Sequence, residues 1–323
     1  KKMGNPWETV MSEWPAGLWV VKYLVAVVIV PLRISFLSLL LLLYWVYVKT
    51  VLTCCCCPRV PRVPGDSPVP RSACAFLRFG ASVYARSSLF AMGFFWINIR
   101  DKRRSSCFCC GPVRGLVVAN HIGFVDSMAL TYLFAPSFVS KASVSNLPLV
   151  GSIALGLQYI FVERKDKQSR SRTLDMIKER ASQPDRFPPL VVYCEGTTTN
   201  NHSVLQFQKG AFTAGVPVVP VSFRVPFCFF NHGWADLPGL RYTLLLLAQP
   251  FNMLEMTLLP EYIPNEQEKA DAALYAANVQ KLIADASNLE ASELSLYDSP
   301  HLAVKTAAAT RTDHVTEICI APG

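Results

Sequence analysis

The sequence predicts an α/β fold in which a mixed central sheet is flanked by helices and preceded by an N-terminal hydrophobic membrane anchor. Three observations predict it. After residue 72, short apolar runs typical of buried strands alternate with segments of helical periodicity. An almost entirely apolar stretch, Leu18–Val48, precedes them. The 323 residues suffice for one large domain with appendages.

The composition points to a membrane surface as a partner. Hydrophobic residues make up 51% of the chain and charged residues 17%, and the mean hydropathy is +0.29. The formal net charge is +8, and ten Lys and Arg face only two Asp between Lys49 and Arg104. A basic belt that follows a hydrophobic anchor is suited to anionic lipids. Nucleic acid is not expected as a partner, because basic and aromatic residues are not interleaved and no DNA-binding motif occurs.

The anchor has two possible arrangements. Leu18–Val48 has 31 residues, whereas a single span needs about 20. One tilted helix could cross the bilayer, or Pro31 and Arg33 could break the segment into a hairpin that enters one leaflet. Basic residues from Lys49 onward predict that the downstream part faces the cytosol.

Four segments are predicted along the chain. Residues 1–53 form the N-terminal segment with the anchor, and 54–71 combine a cysteine cluster with a Pro-rich basic linker. The main domain is expected at 72–290, and 291–323 are expected to be disordered. The eleven Cys do not form a disulfide framework or a paired C-x-x-C metal motif. Palmitoylation of Cys54–Cys57 and unmodified reduced thiols remain equally open.

The elements of the main domain follow from periodicity and turn residues. Ser72–Phe95 has a helical pattern. Leu116–Ala119 is a buried strand, and Phe124–Phe134 is a helix with Asn120 as its predicted N-cap. The remaining predicted elements are a short helix at Ser145–Gly156, a strand at Gln158–Glu163, a helix at Gln168–Ala181, strands at Pro189–Cys194, Gly215–Phe223 and Met256–Pro260, and a helix at Glu266–Ala286.

Polar residues stand at the ends of these strands, where open α/β sheets gather ligand sites. His121 follows the first strand of the domain and Asp126 lies in the first turn of the next helix. At that spacing the carboxylate can bind one imidazole nitrogen and leave the other free as a general base. Arg164 ends a second strand and offers a forked donor that suits a phosphate.

A third group, Glu195-Gly196-Thr197, ends the strand at Pro189–Cys194. Gly196 would let the backbone approach a ligand closely. A His-Asp pair alone could simply stabilise a loop, so a catalytic role for this pair is supported only in combination with the other motifs.

Together the motifs resemble the glycerolipid (lysophospholipid) acyltransferase family. Its signature has an H-x-x-x-x-D block, an F-[IV]-x-R block, an E-G-T block and a V-P-[IVL]-x-P block. The corresponding segments are His121–Asp126, Phe161–Arg164, Glu195–Thr197 and Val216–Pro220. The resemblance covers roughly residues 72–290. The sequences E-G-T-T-T-N and L-P-E-Y-I-P-N-E-Q-E-K look most like the lysophosphatidylcholine/lysophosphatidylethanolamine acyltransferase branch.

The resemblance implies transfer of an acyl group from acyl-CoA, with no bound cofactor and no metal, to the hydroxyl of a lysophospholipid on the endoplasmic reticulum. His121 and Asp126 would be catalytic, and Arg164, Glu195, Gly196 and Thr197 would bind substrate. Lysophosphatidic acid or glycerol 3-phosphate is the alternative acceptor. A non-catalytic membrane lipid-binding protein is the alternative of a different class.

Two positions depart from the family pattern. Gln158 stands where the second block is often preceded by Gly, and Tyr193-Cys194 replaces the usual Phe-Pro before Glu195. Cys194 lacks the stiffness of proline, which leaves the rigidity of the approach to Glu195 open. A buried inert thiol is expected there, since the position ends an apolar strand.

Overall fold

The computed structural model describes residues 5–12, 15–54, 71–103, 115–163, 166–183, 186–235 and 237–298. Its α-helices are α1 Ala16–Cys54, α2 Arg71–Ala91, α3 Phe124–Phe134, α4 Val150–Gly156, α5 Lys167–Ser182, α6 Gly239–Leu247, α7 Glu266–Ala270 and α8 Ala272–Ser287. Its strands are β1 Asn98–Asp101, β2 Leu116–Ala119, β3 Ser137–Lys141, β4 Ile160–Val162, β5 Leu190–Tyr193, β6 Ser203–Val204, β7 Val218–Arg224, β8 Glu255–Leu258 and β9 Glu290–Ala291. Short 3₁₀ helices lie at Ala142–Asn146, Lys209–Phe212 and Leu296–Asp298.

The central sheet is mixed, as the sequence predicted. Its strand order is β1-β8-β7-β2-β5-β3-β4, and β6 pairs with β9 in a separate two-stranded sheet. The pair β7–β8 is antiparallel. The other pairs of the main sheet are parallel. The carboxyl ends of β2, β5 and β7 therefore meet at one edge of the sheet.

The sheet separates two hydrophobic cores, and β2 contributes to both. Val117 and Ala119 pack into the core shared with α2, α3 and α6. Leu116 and Val118 pack into the core shared with α5 and α8. All four side chains are buried, because helices cover both faces of a central parallel strand. A fully apolar run with no alternation is the sequence signature of that position.

The predicted anchor is one continuous helix, α1, that runs through Pro31, so the hairpin arrangement is wrong. Arg33 does not break the helix. Its guanidinium donates hydrogen bonds to the carbonyls of Leu247 (2.7 Å), Gln249 (2.5 Å) and Pro250 (3.0 Å). Three carbonyls at the end of α6 and just after it thus explain how a charged side chain is accommodated in an apolar helix.

Contacts with the domain run along most of α1. Near its start, the ammonium of Lys22 lies 5.5 Å from the ring of Phe229. Near its end, Val48 packs with Leu77 of α2. The outer face of α1 exposes large apolar side chains, among them Val20, Val21, Leu24, Val27, Val28, Leu32, Phe36, Leu39 and Leu43. This helix is long and apolar enough to cross a membrane by length and composition.

Several boundaries differ from the sequence prediction. The last helix is divided at Asp271, which ends α7 and caps α8 by accepting hydrogen bonds from the amides of Ala273 and Leu274. The helix predicted at 145–156 begins only at Val150, after a 3₁₀ turn. Strands β1 and β3 and helix α6 were not predicted.

Structure also continues past the predicted domain boundary at 290. Strand β9 pairs with β6, and the amide of Gln206 donates to the carbonyl of Leu294. The 3₁₀ helix Leu296–Asp298 follows. The first eight residues of the predicted disordered tail therefore contact the domain. Residues 299–323 and the linker at 55–70 lie outside the described residues.

Candidate active site

Parallel pairing of β2 and β5 brings the first and third sequence blocks together. Ala119 lies opposite Tyr193 at the carboxyl ends of these strands. His121 therefore leaves the sheet beside Glu195, although 74 positions separate them in the chain. The backbone amide of His121 donates a 2.7 Å hydrogen bond to Oε1 of Glu195.

Asp126 is fully buried and accepts hydrogen bonds from donors on three sides. Its Oδ2 accepts from Nδ1 of His121 at 2.8 Å and from the amides of Ile122 at 2.7 Å and Gly123 at 3.2 Å. Its Oδ1 accepts from the hydroxyls of Ser127 at 3.2 Å and Tyr193 at 3.0 Å. A carboxylate with this many donors is fixed in position and keeps its charge compensated. It also satisfies amides before the first turn of α3, a task that the sequence had given to Asn120.

His121 combines a fixed orientation with access from outside. Its side chain is 21% exposed, whereas that of Asp126 is 0% exposed. The imidazole also stacks on the ring of Tyr193, with 3.9 Å between centroids and 13° between planes. With Nδ1 held by Asp126, the proton-accepting lone pair is at Nε2. This is the geometry of an oriented general base.

Glu195 is buried beside the loop that carries His121. The side chain is 1% exposed, and its two oxygens accept from the amides of His121 and Leu205. Burial raises the pKa of this carboxyl to about 8, against the lowering effect of those two hydrogen bonds. Each oxygen is engaged by one backbone amide, so Glu195 supports the loop that carries His121; its role as a substrate-binding residue stays a prediction.

Gly196 and Thr197 lie next to the imidazole loop. Gly196 has φ of 73°, which a residue with a Cβ rarely adopts. A Cβ there would also lie 3.2 Å from the side chain of Leu296. Thr197 is half-buried. The predicted phosphate ligand, Arg164, lies outside the described residues, so its role as a substrate-binding residue stays a prediction.

Two asparagines hold this edge of the sheet, Asn120, which was predicted only as a helix N-cap, and Asn201, which was not predicted to have a role. Asn120 is buried, and its side chain exchanges hydrogen bonds with both the amide and the carbonyl of Phe223 at the end of β7. Asn201 bonds the same carbonyl and the amide of Val225. These contacts join β2, β7 and the loop after Glu195. The position of Asn120 directly after a buried strand was a local signal for it, whereas Asn201 follows no strand directly.

The N-terminal segment also reaches this loop. The side chain of Asn200 donates to the carbonyls of Asn5 and Glu8. The backbone amide of Asn200 donates to the carbonyl of Pro6. Trp7 of this segment is buried. Residues 5–12 thus dock beside the loop whose Thr199 amide bonds the carbonyl of His121.

Two other reactive groups near the edge of the sheet are buried in apolar surroundings. Burial raises the pKa of the Cys194 thiol well above its ordinary value, which keeps it protonated and inert. Burial also lowers the pKa of His232 to about 4, and its Nε2 contacts the carbonyl of Met253 at 2.7 Å. Among the described residues, no group of three or more His, Cys, Asp or Glu is arranged to hold a metal ion.

The segment of the chain that carries this site is similar to known proteins. The family model described as Acyltransferase matches residues 111–224, which include His121, Asp126 and Glu195. Lysophospholipid acyltransferase LPEAT1 of Arabidopsis thaliana is 37% identical over 237 residues, or 66% of this chain and 60% of that protein. Lysophosphatidylcholine acyltransferase of Drosophila melanogaster is 40% identical over 185 residues, or 57% of this chain and 35% of that protein.

The chain therefore spans 60% or less of the length of these two relatives. Among solved structures, the 1-acyl-sn-glycerophosphate (LPA) acyltransferase PlsC from Thermotoga maritima aligns with a TM-score of 0.48 and 18% sequence identity. That alignment covers 79% of this chain and 96% of that one.

Proposed function

Residues 111–224 of this chain form a domain of the acyltransferase family, as the four sequence blocks predicted, and on that premise we propose that the protein acylates a lysophospholipid with acyl-CoA as donor. The observation that carries the proposal is the His121–Asp126 pair. One imidazole nitrogen is held at 2.8 Å by a buried carboxylate, and the ring is accessible from outside. The names of the relatives support a lysophospholipid as the acceptor.

The proposed reaction needs one base and no covalent enzyme intermediate. Nε2 of His121 takes the proton from the acceptor hydroxyl as its oxygen attacks the thioester carbonyl. The carbon–sulfur bond then breaks, and the imidazolium returns the proton to the CoA thiolate. Asp126 stabilises the imidazolium while it carries the proton. The ester and free CoA are the products.

The site of action that we propose is a membrane surface, with α1 lying in one leaflet. Lys22 and Val48 both contact the domain, and 26 residues of helix separate them, or about 39 Å. The hydrocarbon core of a bilayer is about 30 Å thick. A helix that contacts the domain over that length cannot cross the bilayer unless the domain enters the bilayer as well. Its exposed apolar face can instead enter the lipid from the side.

A tag-accessibility experiment tests this arrangement. Residues 5–12 dock on the domain, so tags at both ends of the chain should be cleaved by protease added to sealed microsomes without detergent. Protection of the N-terminal tag alone would contradict it and favour the single span that the sequence left open. The endoplasmic reticulum as the location would be tested by fractionation of the same cells.

Transfer of labelled acyl groups tests the activity. Membranes that carry the protein are given labelled acyl-CoA and lysophosphatidylcholine, lysophosphatidylethanolamine, lysophosphatidic acid or glycerol 3-phosphate. Label should enter a phospholipid, and His121→Ala should abolish it. The matched control is His202→Ala, because His202 is an exposed histidine of the neighbouring loop.

The acceptor panel also separates the alternatives. Transfer only to lysophosphatidic acid or glycerol 3-phosphate would replace the proposed acceptor but keep the mechanism. Binding of lipid vesicles with no His121-dependent transfer to any acceptor would favour a non-catalytic lipid-binding protein. Arg164→Ala should raise the KM for the acceptor, if that residue binds the phosphate as the resemblance implies.

A further inference from the structure

We infer that Tyr193 is a positioning residue of the His121–Asp126 pair, which it holds both through its hydroxyl and through its ring. This inference rests on the proposed function, because it concerns the same base. The sequence motif contains only His121 and Asp126, and the inference adds Tyr193 as a third residue that fixes their arrangement. The sequence pattern had given Tyr193 no role beyond its place at the end of β5.

The hydroxyl of Tyr193 controls the oxygen of Asp126 that the imidazole does not use. It donates to Oδ1 at 3.0 Å, while His121 binds Oδ2 at 2.8 Å. The hydroxyl of Ser127 is the other side-chain donor to Oδ1, and it lies 2.9 Å from the Tyr193 oxygen. Burial, and secondly the charge of Asp126, raise the pKa of Tyr193 well above its ordinary value. The phenol therefore stays protonated and remains a donor.

The ring of Tyr193 supports the imidazole from below. The two rings are nearly parallel, with their centroids 3.9 Å apart. Phe138 of the neighbouring strand β3 also stacks with Tyr193, with 6.1 Å between centroids and 18° between planes. A cation over an aromatic face is stabilised by the ring quadrupole. The ring thus limits imidazole tilting and favours the imidazolium that forms when the base takes a proton.

The two contributions can be separated by substitution. Tyr193→Phe keeps the stacked ring and removes the hydrogen bond to Asp126. The carboxylate then concentrates more negative charge toward His121, which should hold its proton to higher pH. Tyr193→Leu removes both contributions. The matched control is Tyr275→Phe, which removes another buried tyrosine hydroxyl whose 2.9 Å hydrogen bond to the carbonyl of Val216 lies outside the pair.

Modification of His121 by diethyl pyrocarbonate measures the effect without any substrate. The reagent attacks the unprotonated imidazole, and mass spectrometry of the peptide gives its rate at each pH. We expect the midpoint of that pH profile to move upward in Tyr193→Phe and to stay unchanged in Tyr275→Phe. An unchanged midpoint in a folded Tyr193→Phe protein would overturn the inference.

Acyl transfer gives the second measurement. Tyr193→Phe should lower kcat about three- to tenfold, the size expected for one lost hydrogen bond of ordinary net strength, since Ser127 still donates to Oδ1; KM for both substrates should stay within about twofold. A change in KM alone would contradict a positioning role. Because the modification experiment needs no acyl acceptor, a failure of the proposed function would leave the pH shift intact, whereas a failure of this inference would abolish it. Combining Tyr193→Phe with Ser127→Ala should give more than the product of the two effects, because only the double variant leaves the buried Oδ1 without a side-chain donor.

Discussion

Replacing Asp126 with Asn should separate the structural from the catalytic role of the buried carboxylate. Oδ2 of Asp126 accepts from three N–H groups, namely Nδ1 of His121 and the amides of Ile122 and Gly123. Within the described part of the chain, Oδ1 accepts from the hydroxyls of Ser127 and Tyr193. An asparagine can satisfy all of these groups in one orientation. Its oxygen replaces Oδ2, and its NH₂ group faces the two hydroxyls, which can accept as well as donate.

That orientation sets the expected magnitudes. Charge-assisted hydrogen bonds become neutral ones, so we expect the free energy of unfolding to fall by roughly 1–2 kcal/mol. Activity should fall much more, because no charge then offsets the imidazolium. In catalytic triads the same substitution costs about 10⁴-fold, since the amide stabilises the wrong imidazole tautomer. Here the retained oxygen keeps Nδ1 as the donor, so a loss of about 10²- to 10³-fold in kcat is expected.

The assay compares acyl transfer with thermal unfolding of the same detergent-solubilised protein. Asp271→Asn is the control, because Asp271 caps α8 through two amides and has no contact with the imidazole. Asparagine caps a helix about as well as aspartate, so this variant should lose little stability and retain activity. An Asp126→Asn protein with activity within threefold of the parent would refute the argument for an oriented base. A loss of 10⁴-fold or more would show that the amide is inverted.

Three further predictions concern the support of the site. Glu195→Gln should remove a pH dependence of stability. The pKa of Glu195 is raised from 4.5 to about 8 in the folded parent protein, so between these values the folded state holds a proton that the unfolded chain has lost. The free energy of unfolding of the parent is therefore highest below pH 4.5 and falls by roughly 2 kcal/mol between pH 6.5 and 8, which thermal unfolding across that range would detect. Gly233→Ala should lower the free energy of unfolding by roughly 1–3 kcal/mol, since a Cβ would lie 2.7 Å from the backbone of the adjacent loop. Gly17→Ala is the control, because a Cβ there meets nothing within 4 Å. Equal melting temperatures of the two variants would contradict the prediction. Arg33→Met should lower stability by roughly 2–4 kcal/mol, because three carbonyls lose a charged donor, whereas Lys49→Met at an exposed position should have little effect; urea titration in detergent would measure the difference.

The sequence pattern predicted the elements whose burial and periodicity can be recognised from consecutive residues. Strand β2 and helix α3 have the predicted bounds, because a fully apolar run and a helix of eleven residues are local properties. The other predicted strands were located within a few residues. Strand β1 was missed, since its sequence NIRD carries charges and its exposed face gives no apolar run. Asp271 was missed as a helix boundary because its capping role depends on backbone angles.

The order of the four blocks was enough to predict the family, and with it the pairing of His121 with Asp126. The separate duties of their neighbours required the tertiary structure. The sheet places Glu195 beside His121, where the side chain is buried and accepts from two backbone amides, and its expected role in substrate binding stays a prediction. Tyr193 carried no signal, because its contacts with Asp126 and His121 join residues that are 67 and 72 positions apart.

The same distinction applies to the anchor. Its length and hydropathy are local and were read directly from Leu18–Val48. Whether it crosses a bilayer depends on contacts made by Lys22, Arg33 and Val48 with residues far away in the chain. Composition determines how much apolar surface the protein must bury or place in lipid. Only the folded chain decides which atoms cover it, because hydrogen bonding and packing act between surfaces that the sequence does not place side by side.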